Sequence, residues 1–498
     1  MCILVSCQNN SGQDSTSDIN YYHFEKNRIA AEWEPANGVM FMCPPVIPKE
    51  LIVELAKDTH VYPTVGSDEE QLKAVKWFLD WGIDTSRVHF IKLPKVDFDV
   101  TVPRDWGPPA IFSNKSQMRL ADVVFKNSAP FTDLACNDSL ELHIYPETRE
   151  VYHSSVSDTL IKPMAKQLGL EVLQVPITST GGNVLVDGIG TALSTCILLT
   201  ENRFNSVSDE DFFTISDSLL GINNYHIISN FDNYGIQHID CFLKVIDEET
   251  LLVAQPPEDH ELFEIYENIV KNELSSLRNA YGKPYVIKRI KIGRIVKEYL
   301  SPYTNSLILN ETVYVPLYGI ETDSLALETW KSILPGYKIK GFKFNIQDQS
   351  YIAEWFFEDY LEEGNVPGWG PDDALHCRTR AIWDNDMVYI SINKVPSEIA
   401  SSQPAVLYVS VKDYSGNGIP NDGVVLKWRV KGSIDWNSMN MTVSYSQNNW
   451  HAEFPIFNNG TTIEYYVNAT SNEGKSQSRP ITAPKGHYQF KYIVQQDI

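Results

Sequence analysis

Four stretches of the chain carry apolar residues at helical spacing: DEEQLKAVKWFLDWG (Asp68 to Gly82), SDEDFFTISDSLLG (Ser208 to Gly221), EDHELFEIYENIVKNELSSL (Glu258 to Leu277) and ETDSLALETWKSIL (Glu321 to Leu334). Each opens on acidic residues, which suit the positive end of a helix dipole. Each ends within a few residues of a glycine or asparagine, an expected stop, and a strand-like run follows.

Between these helices five segments open on a polar residue and run into an apolar hairpin pattern: RDWGPPAIF, GGNVLVDGIGTALST, HIDCFLKVIDEETLLVA, TNSLILNETVYVP and HCRTRAIWDNDMVYISI. Their spacing of roughly 57 to 78 residues predicts five copies of one ββαβ-like unit arranged radially. In such a ring, equivalent strand ends meet at the centre. Asp105, Asn183, His238 with Asp240, Asn305 and Cys377 can then converge on one pocket although they are far apart in sequence.

From about Pro404 the pattern changes. Short alternating segments (AVLYVSVKD, VVLKWRVKG, SMNMTVSYS, WHAEFPIF, TIEYYVNAT, HYQFKYIV) are separated by turns rich in Gly, Asn, Pro and Ser. About seven such strands predict a small β-sandwich of immunoglobulin or fibronectin type. The polar run KVPSEIASSQPA, Lys394 to Ala405, is the expected junction. The predicted architecture is therefore an α/β domain over residues 21–395 and an all-β sandwich over residues 404–498, preceded by a polar tether over residues 1–20.

Length and composition fit this plan: 498 residues, 43% hydrophobic, are enough for two or three domains with large cores. A formal charge of -23 disfavours a nucleic-acid partner, whose phosphates need clustered Lys and Arg, and would attract a cationic substrate. The seven cysteines show neither the spacing of a disulfide framework nor a C-x-x-C pair, and no acidic calcium loop is evident. No metal or other cofactor is called for. No apolar run reaches the roughly 18 residues that span a bilayer. The N-terminal Leu4-Val5-Ser6-Cys7 is similar to a lipobox whose basic and apolar regions are mostly missing. Acylation at Cys7 and a cell-envelope or secreted location are the expectation, with a cytoplasmic location as the alternative.

The chemistry-bearing residues sort by geometry. If QHIDCF lies on a strand, His238 and Asp240 share one face while Ile239 and Cys241 point into the opposite layer. By the same alternation His376 and Cys377 face opposite sides, so the imidazole serving Cys377 comes from elsewhere, and His238 is the natural choice. Asp105 is held between Pro103 and the Gly107-Pro108-Pro109 turn. Two carboxylates in one pocket repel, and one takes a proton, unless a cation lies between them. A planar guanidinium, with its fork of N–H donors, fits that demand.

At these positions the chain resembles the guanidino-group-modifying, pentein-fold family, and within it the bacterial peptidylarginine deiminases with an attached Ig-like domain. The motifs are Arg104-Asp105-x-Gly107-Pro108, Gly181-Gly182-Asn183, His238-x-Asp240, Tyr303-Thr304-Asn305-Ser306 and His376-Cys377-Arg378-Thr379. The resemblance covers roughly Tyr21 to Asn393, with the sandwich after it. It implies a five-bladed α/β propeller with Cys377 as nucleophile, His238 as general acid/base and Asp105 and Asp240 as guanidinium ligands. Asn305 would sit beside the cysteine, and Asn183 would be a loop or supporting contact. It also implies substrate contacts near Val102, where relatives carry Trp, and near Asn127-Ser128-Ala129-Pro130, where relatives preferring C-terminal arginine carry Arg-Pro-Arg-Pro. Agmatine deiminases place a glutamate before Gly-Gly-Asn; here the residue is Thr180.

The resemblance thus implies hydrolysis of arginine side chains in peptides or proteins to citrulline and ammonia. The alternatives are a deiminase or amidinotransferase for a small guanidine such as free arginine or agmatine, and a surface binding protein without turnover. The sequence leaves the oligomeric state open.

Overall fold

The computed structural model describes residues 24–94, 102–113, 117–125, 159–232, 236–345, 368–444 and 448–494. The tether over residues 1–20, Cys7, and the Asn127–Pro130 run lie outside the described residues. The chain forms two compact units, one of Phe24–Met387 with Pro484–Gly486, the other containing Val388–Ala483 and the segment from His487 onward.

The first unit is mixed α/β. Among the described residues it contains five small sheets of three or four strands, each combining an antiparallel pair with a parallel pair reached through a helical crossover. The third sheet is representative. Leu243–Asp247 runs antiparallel to Thr250–Gln255, which pairs in parallel with Val286–Lys291 after a crossover through the helix Phe263–Asn268. Leu307–Leu309, Thr312–Leu317 and Lys338–Lys343 repeat the pattern across the helix Thr322–Ile333. The fifth sheet joins the unit's ends: Arg380–Trp383 pairs antiparallel with Ala36–Met42, whose other neighbour is the parallel strand His60–Val65. Because the middle strand of each sheet is covered on both sides, its residues are apolar almost without interruption; Leu251, Leu252, Val253 and Ala254 are all fully buried.

Local chemistry sets the helix ends. Ser67 and Ser208 cap the helices Asp68–Asp80 and Asp209–Ile215, each hydroxyl accepting a backbone N–H three residues on. After Asp209–Ile215 the chain continues as one π turn and stops at Gly221 with φ of 71°. A Cβ there would lie 1.7 Å from the Asn27 carbonyl oxygen, so glycine is needed both for the left-handed turn and for the close approach. The Glu258–Leu277 stretch departs from the expected single helix: regular α geometry covers only Phe263–Asn268, then passes through a π turn and a 3₁₀ turn.

The five polar openings are not strand starts. Pro103–Trp106, Gly181–Asn183 and Ile239–Cys241 are single helical turns, and His376–Cys377 lies in a turn that precedes Arg380–Trp383. Strand alternation therefore does not govern these residues, a correction that matters for the site. Cys196 is disulfide-bonded, whereas Cys43, Cys241 and Cys377 are free.

The second unit is all β. Val388–Asn393, Val406–Asp413, Asn449–Glu453 and Thr442–Val443 form one sheet; Glu398–Ala400, Tyr488–Ile493, Thr462–Thr470, Val424–Val430, Asn437–Asn440 and Ser476–Arg479 form the other. Alternate residues of both enclose one apolar core around Trp450, Leu407, Leu426, Val467 and Tyr492. Its first strand begins at Val388, ahead of the expected junction at Lys394–Ala405, because Val388–Asn393 pairs along its whole length with Tyr408–Asp413.

Truncating the middle of the third sheet tests this packing. Leu252→Ala should cost about 2–5 kcal/mol of unfolding free energy, read from the denaturant midpoint at unchanged slope.

Candidate active site

One-turn helices carry the functional side chains, each standing just before the first strand of its hairpin: Pro103–Trp106 before Ala110–Phe112, Gly181–Asn183 before Leu185–Val186 and Ile239–Cys241 before Leu243–Asp247. In Pro103–Trp106, Arg104 anchors the turn twice: its backbone N–H donates to the Cys377 carbonyl at 3.1 Å and its Nε to the His376 carbonyl at 3.2 Å. Asp105 is thereby fixed, and Oδ1 accepts the Gly182 N–H at 3.1 Å. Gly182 must be glycine. A Cβ there would lie 2.8 Å from Asp105 Oδ1, 2.8 Å from His238 Nδ1 and 3.3 Å from Asp240 Oδ2, so these three groups surround one point. His238 Nδ1 lies 3.5 Å from Asp105 Oδ1 and is buried with no hydrogen-bond partner among the described residues.

The His238 turn is held from below by Asn183. Its Oδ1 accepts from Thr195 N, Thr195 Oγ1 and Ile239 N at 3.1, 3.0 and 3.1 Å. Asn183 thus positions the turn, and its own Nδ2 is buried without a hydrogen-bond partner among the described residues. Gln237, just before His238, adopts φ of 57°, a costly conformation for a non-glycine residue that re-aims the chain into the turn.

Cys377 is 1% exposed and sits at the end of this constellation. Asn305 Nδ2 donates to Cys377 Sγ at 3.1 Å, while Asn305 Oδ1 accepts the backbone N–H groups of His376 and Cys377 at 2.9 and 3.2 Å. Asp240 Oδ2 lies 3.8 Å from the sulfur. Asp105, His238, Asp240, Asn305 and Cys377 are therefore one cluster. Val102 precedes the Asp105 turn and accepts Asp105 N through its carbonyl at 2.9 Å. Asn127 lies outside the described residues.

The structure adds residues that strand alternation missed. In the 3₁₀ turn Ile239–Cys241, Cys241 follows Asp240 into the site instead of pointing away, and Asn305 Nδ2 also reaches its sulfur at 3.5 Å. His376 stands between two carboxylates, with Nδ1 2.7 Å from Asp240 Oδ2 and Nε2 2.8 Å from Glu32 Oε2. Glu32 also pairs with the buried Lys244 at 2.8 Å. Cys241 and Lys244 lie three and six residues after His238, close enough in sequence to be considered with it, but only the 3₁₀ turn puts Cys241 in the site. Glu32 carries no such signal, because its partners are more than 200 residues away in sequence.

The electrostatics follow from burial. Burial, then the charge of Asp240, pushes the Asp105 carboxyl well above its ordinary range. Burial also raises Asp240, but the hydrogen bond and charge of His376 more than offset it and hold that group low. Burial lowers His238 to about 4, against the pull of Asp240 and Asp372. The Cys241 thiol's hydrogen bond pulls Cys377 down, yet burial and the charges of Asp240, Asp105 and Asp373 lift it to about 11. Burial and neighbouring charge thus favour a neutral Cys377 thiol, a neutral His238 imidazole and a protonated Asp105, while Asp240 is favoured as the carboxylate. A cation entering between the acids would favour the ionised forms of Asp105 and Cys377 and keep His238 neutral.

The family model of the Porphyromonas-type peptidyl-arginine deiminases matches residues 28–346. The chain belongs to that family. The match ends before Cys377, so the placement of that residue rests on the geometry above. A Legionella pneumophila protein named as an agmatine deiminase is 22% identical over 332 residues, 62% of this chain and 88% of the relative. A Lactococcus lactis protein of the same name is 24% identical over 270 residues, 48% and 68% of the two chains. Among solved structures, a Porphyromonas gingivalis protein named as an arginine deiminase superposes with a TM-score of 0.53 at 18% identity, covering 72% of this chain and 99% of its own. The agmatine deiminase of Enterococcus faecalis gives 0.53 at 18%, covering 72% and 96%. The fold is that of the pentein deiminases, and the protein is a guanidino-group deiminase.

Gly182→Ala tests the arrangement. The new methyl would displace the ends of Asp105 and His238 while the backbone can stay, so turnover should fall by about 10²-fold or more with little change in thermal stability. Near-normal turnover would show that these groups need not meet at Gly182.

Proposed function

We propose that the protein hydrolyses the guanidinium of peptide- or protein-bound arginine to the ureido group of citrulline, releasing ammonia. The observation that carries the chemistry is the single cluster of Cys377, Asn305, Asp240, His238 and Asp105. In this reading the substrate cation enters between Asp105 and Asp240 and stabilises both as carboxylates. It also favours loss of the Cys377 proton, which neutral His238 accepts. The thiolate adds to the guanidinium carbon, and His238 returns the proton to the departing nitrogen as the C–N bond breaks. Ammonia leaves, and a thiouronium remains on sulfur. His238 then takes a proton from water as its oxygen adds to the same carbon. Breaking the C–S bond regenerates the thiol and releases the urea product.

His376 is not the acid/base in this scheme. Both its ring nitrogens face carboxylates, Asp240 on one side and Glu32 on the other, and the triad fixes the clamp acid in place.

On substrate class, the residue before Gly181 is the neutral Thr180, where the agmatine deiminases resembled in the sequence carry glutamate. Agmatine bears a second cation, and a neutral residue offers it one anion fewer. The names of the curated relatives favour a second reading, a small guanidine. Architecture belongs to the same proposal: the five small sheets are the blades of an α/β propeller, and the second unit is an immunoglobulin-like sandwich.

Mass spectrometry and ammonia release on internal-arginine and C-terminal-arginine peptides, free arginine and agmatine should show a +1 Da product chiefly with the peptides. Turnover confined to agmatine or free arginine would move the assignment to the second reading. Cys377→Ala should lower turnover by about 10⁴-fold or more while leaving the protein folded.

The pH profile follows from His238 and Cys377. Because burial depresses the imidazole, it stays neutral down to about 4 and gains a proton only below that; the thiol keeps its proton up to about 11. The contribution of His238 to the acid limb of kcat/KM should therefore lie near 4 rather than at an ordinary histidine value of about 6.5, which an NMR titration of the imidazole itself would read, while the raised Asp105 carboxyl sets any limb above it. A His238 titration midpoint near 6.5 in the NMR spectrum would contradict a buried, neutral His238.

A further inference from the structure

The proposed reaction uses one sulfur, yet the site holds two. Ligand atoms of Asp240, Cys241 and Cys377 all lie within 4.8 Å of one another, and all three side chains are buried. Asp240 makes the close contacts on both sides, Oδ2 3.8 Å from Cys377 Sγ and Oδ1 3.6 Å from Cys241 Sγ. Asn305 Nδ2 reaches both sulfurs, at 3.1 and 3.5 Å. Neither thiol is in a disulfide.

We propose that Asp240, Cys241 and Cys377 form a capture site for a thiophilic divalent cation of the zinc or cadmium kind, which blocks the nucleophile when bound. Zinc binds thiolate sulfur at about 2.3 Å and carboxylate oxygen at about 2.0–2.2 Å, so the edges of its tetrahedron measure about 3.5–3.8 Å. Whichever carboxylate oxygen is the ligand, one sulfur–oxygen edge already has about that length, at 3.8 Å from Oδ2 or 3.6 Å from Oδ1, and with the ligand atoms all within 4.8 Å the other edges need shifts of about 1 Å. Two thiolates and one carboxylate select soft or borderline cations over magnesium and calcium. Three protein ligands leave a fourth position for water. The arrangement arises because Ile239–Cys241 is a 3₁₀ turn, which delivers consecutive residues to one place where a strand would separate them. The metal would inhibit the reaction and play no part in it. The site rests on the sulfur pair alone and stands whether or not the peptide-arginine reading does.

The test uses the full chain, reduced and metal-free, titrated with Cd²⁺ while the ultraviolet thiolate-to-cadmium absorption is recorded, with Zn²⁺ as competitor. Cys43→Ser, which removes a buried free thiol elsewhere, should match wild type. Cys241→Ser and Cys377→Ser should each lose about half of the absorption and bind at least ~10-fold more weakly. Cys241→Ser should also require at least ~10-fold more Zn²⁺ for inhibition, and a chelator should restore wild-type turnover. Cys241→Ala and a thermal melt of each variant separate loss of a ligand from loss of fold. A folded Cys241 variant with wild-type absorption and zinc sensitivity would overturn the proposal, as would wild type showing no thiolate–cadmium band.

Discussion

The site depends on one carboxamide. Asn305 accepts two consecutive backbone N–H groups, of His376 and Cys377, and donates to the Cys377 sulfur, so it fixes both the position of the turn and the direction of the thiol. A buried amide with its acceptor doubly used and its donor aimed at sulfur has few alternative orientations. Every other group in the cluster is placed relative to that turn. Arg104 binds its carbonyls, which sets Asp105; His376 within it binds Asp240; and Asp105 takes the N–H of the glycine around which His238 closes.

Among the described residues this arrangement concentrates acid at the reacting end, where the charge of Arg104 offsets burial and Asp240 at the Asp105 carboxyl only in part. Arg104 and Lys244 are buried on the Glu32 and His376 side, where they offset the carboxylates behind the clamp. In front, Asp105 and Asp240 confront each other beside a neutral imidazole and a neutral thiol. The missing positive charge is the one a guanidinium supplies. Binding a cation there would relieve like-charge repulsion, ionise Asp105 and assist thiol deprotonation together, so affinity and activation have the same electrostatic cause.

Much of this was legible in the sequence because polar residues at the ends of apolar hairpins stand out. Asp105, His238, Asp240, Asn305 and Cys377 come together from four of the five openings, whereas Asn183, expected in the same pocket, instead holds the His238 turn through its Oδ1. What failed was the local geometry. Period-2 alternation sends Cys241 away from Asp240, but a one-turn 3₁₀ helix keeps both in the pocket, and nothing in QHIDCF distinguishes the two conformations by composition. Glu32 was invisible for a different reason: AAEWEP has no periodicity to mark it, and its role comes from partners that only the closed fold supplies. The boundary of the second unit shifted because VYISIN reads as a strand in either unit; its pairing with Tyr408–Asp413 decides the matter.

The most direct test of the account is to quench the enzyme with acid during turnover of an arginine peptide and map every cysteine by mass spectrometry. The account predicts a substrate adduct joined through its guanidinium carbon to Cys377, absent from Cys241 and lost as the substrate is exhausted. Sustained turnover with the adduct on Cys241, or on no cysteine under conditions that trap thiouroniums in a control, would contradict it.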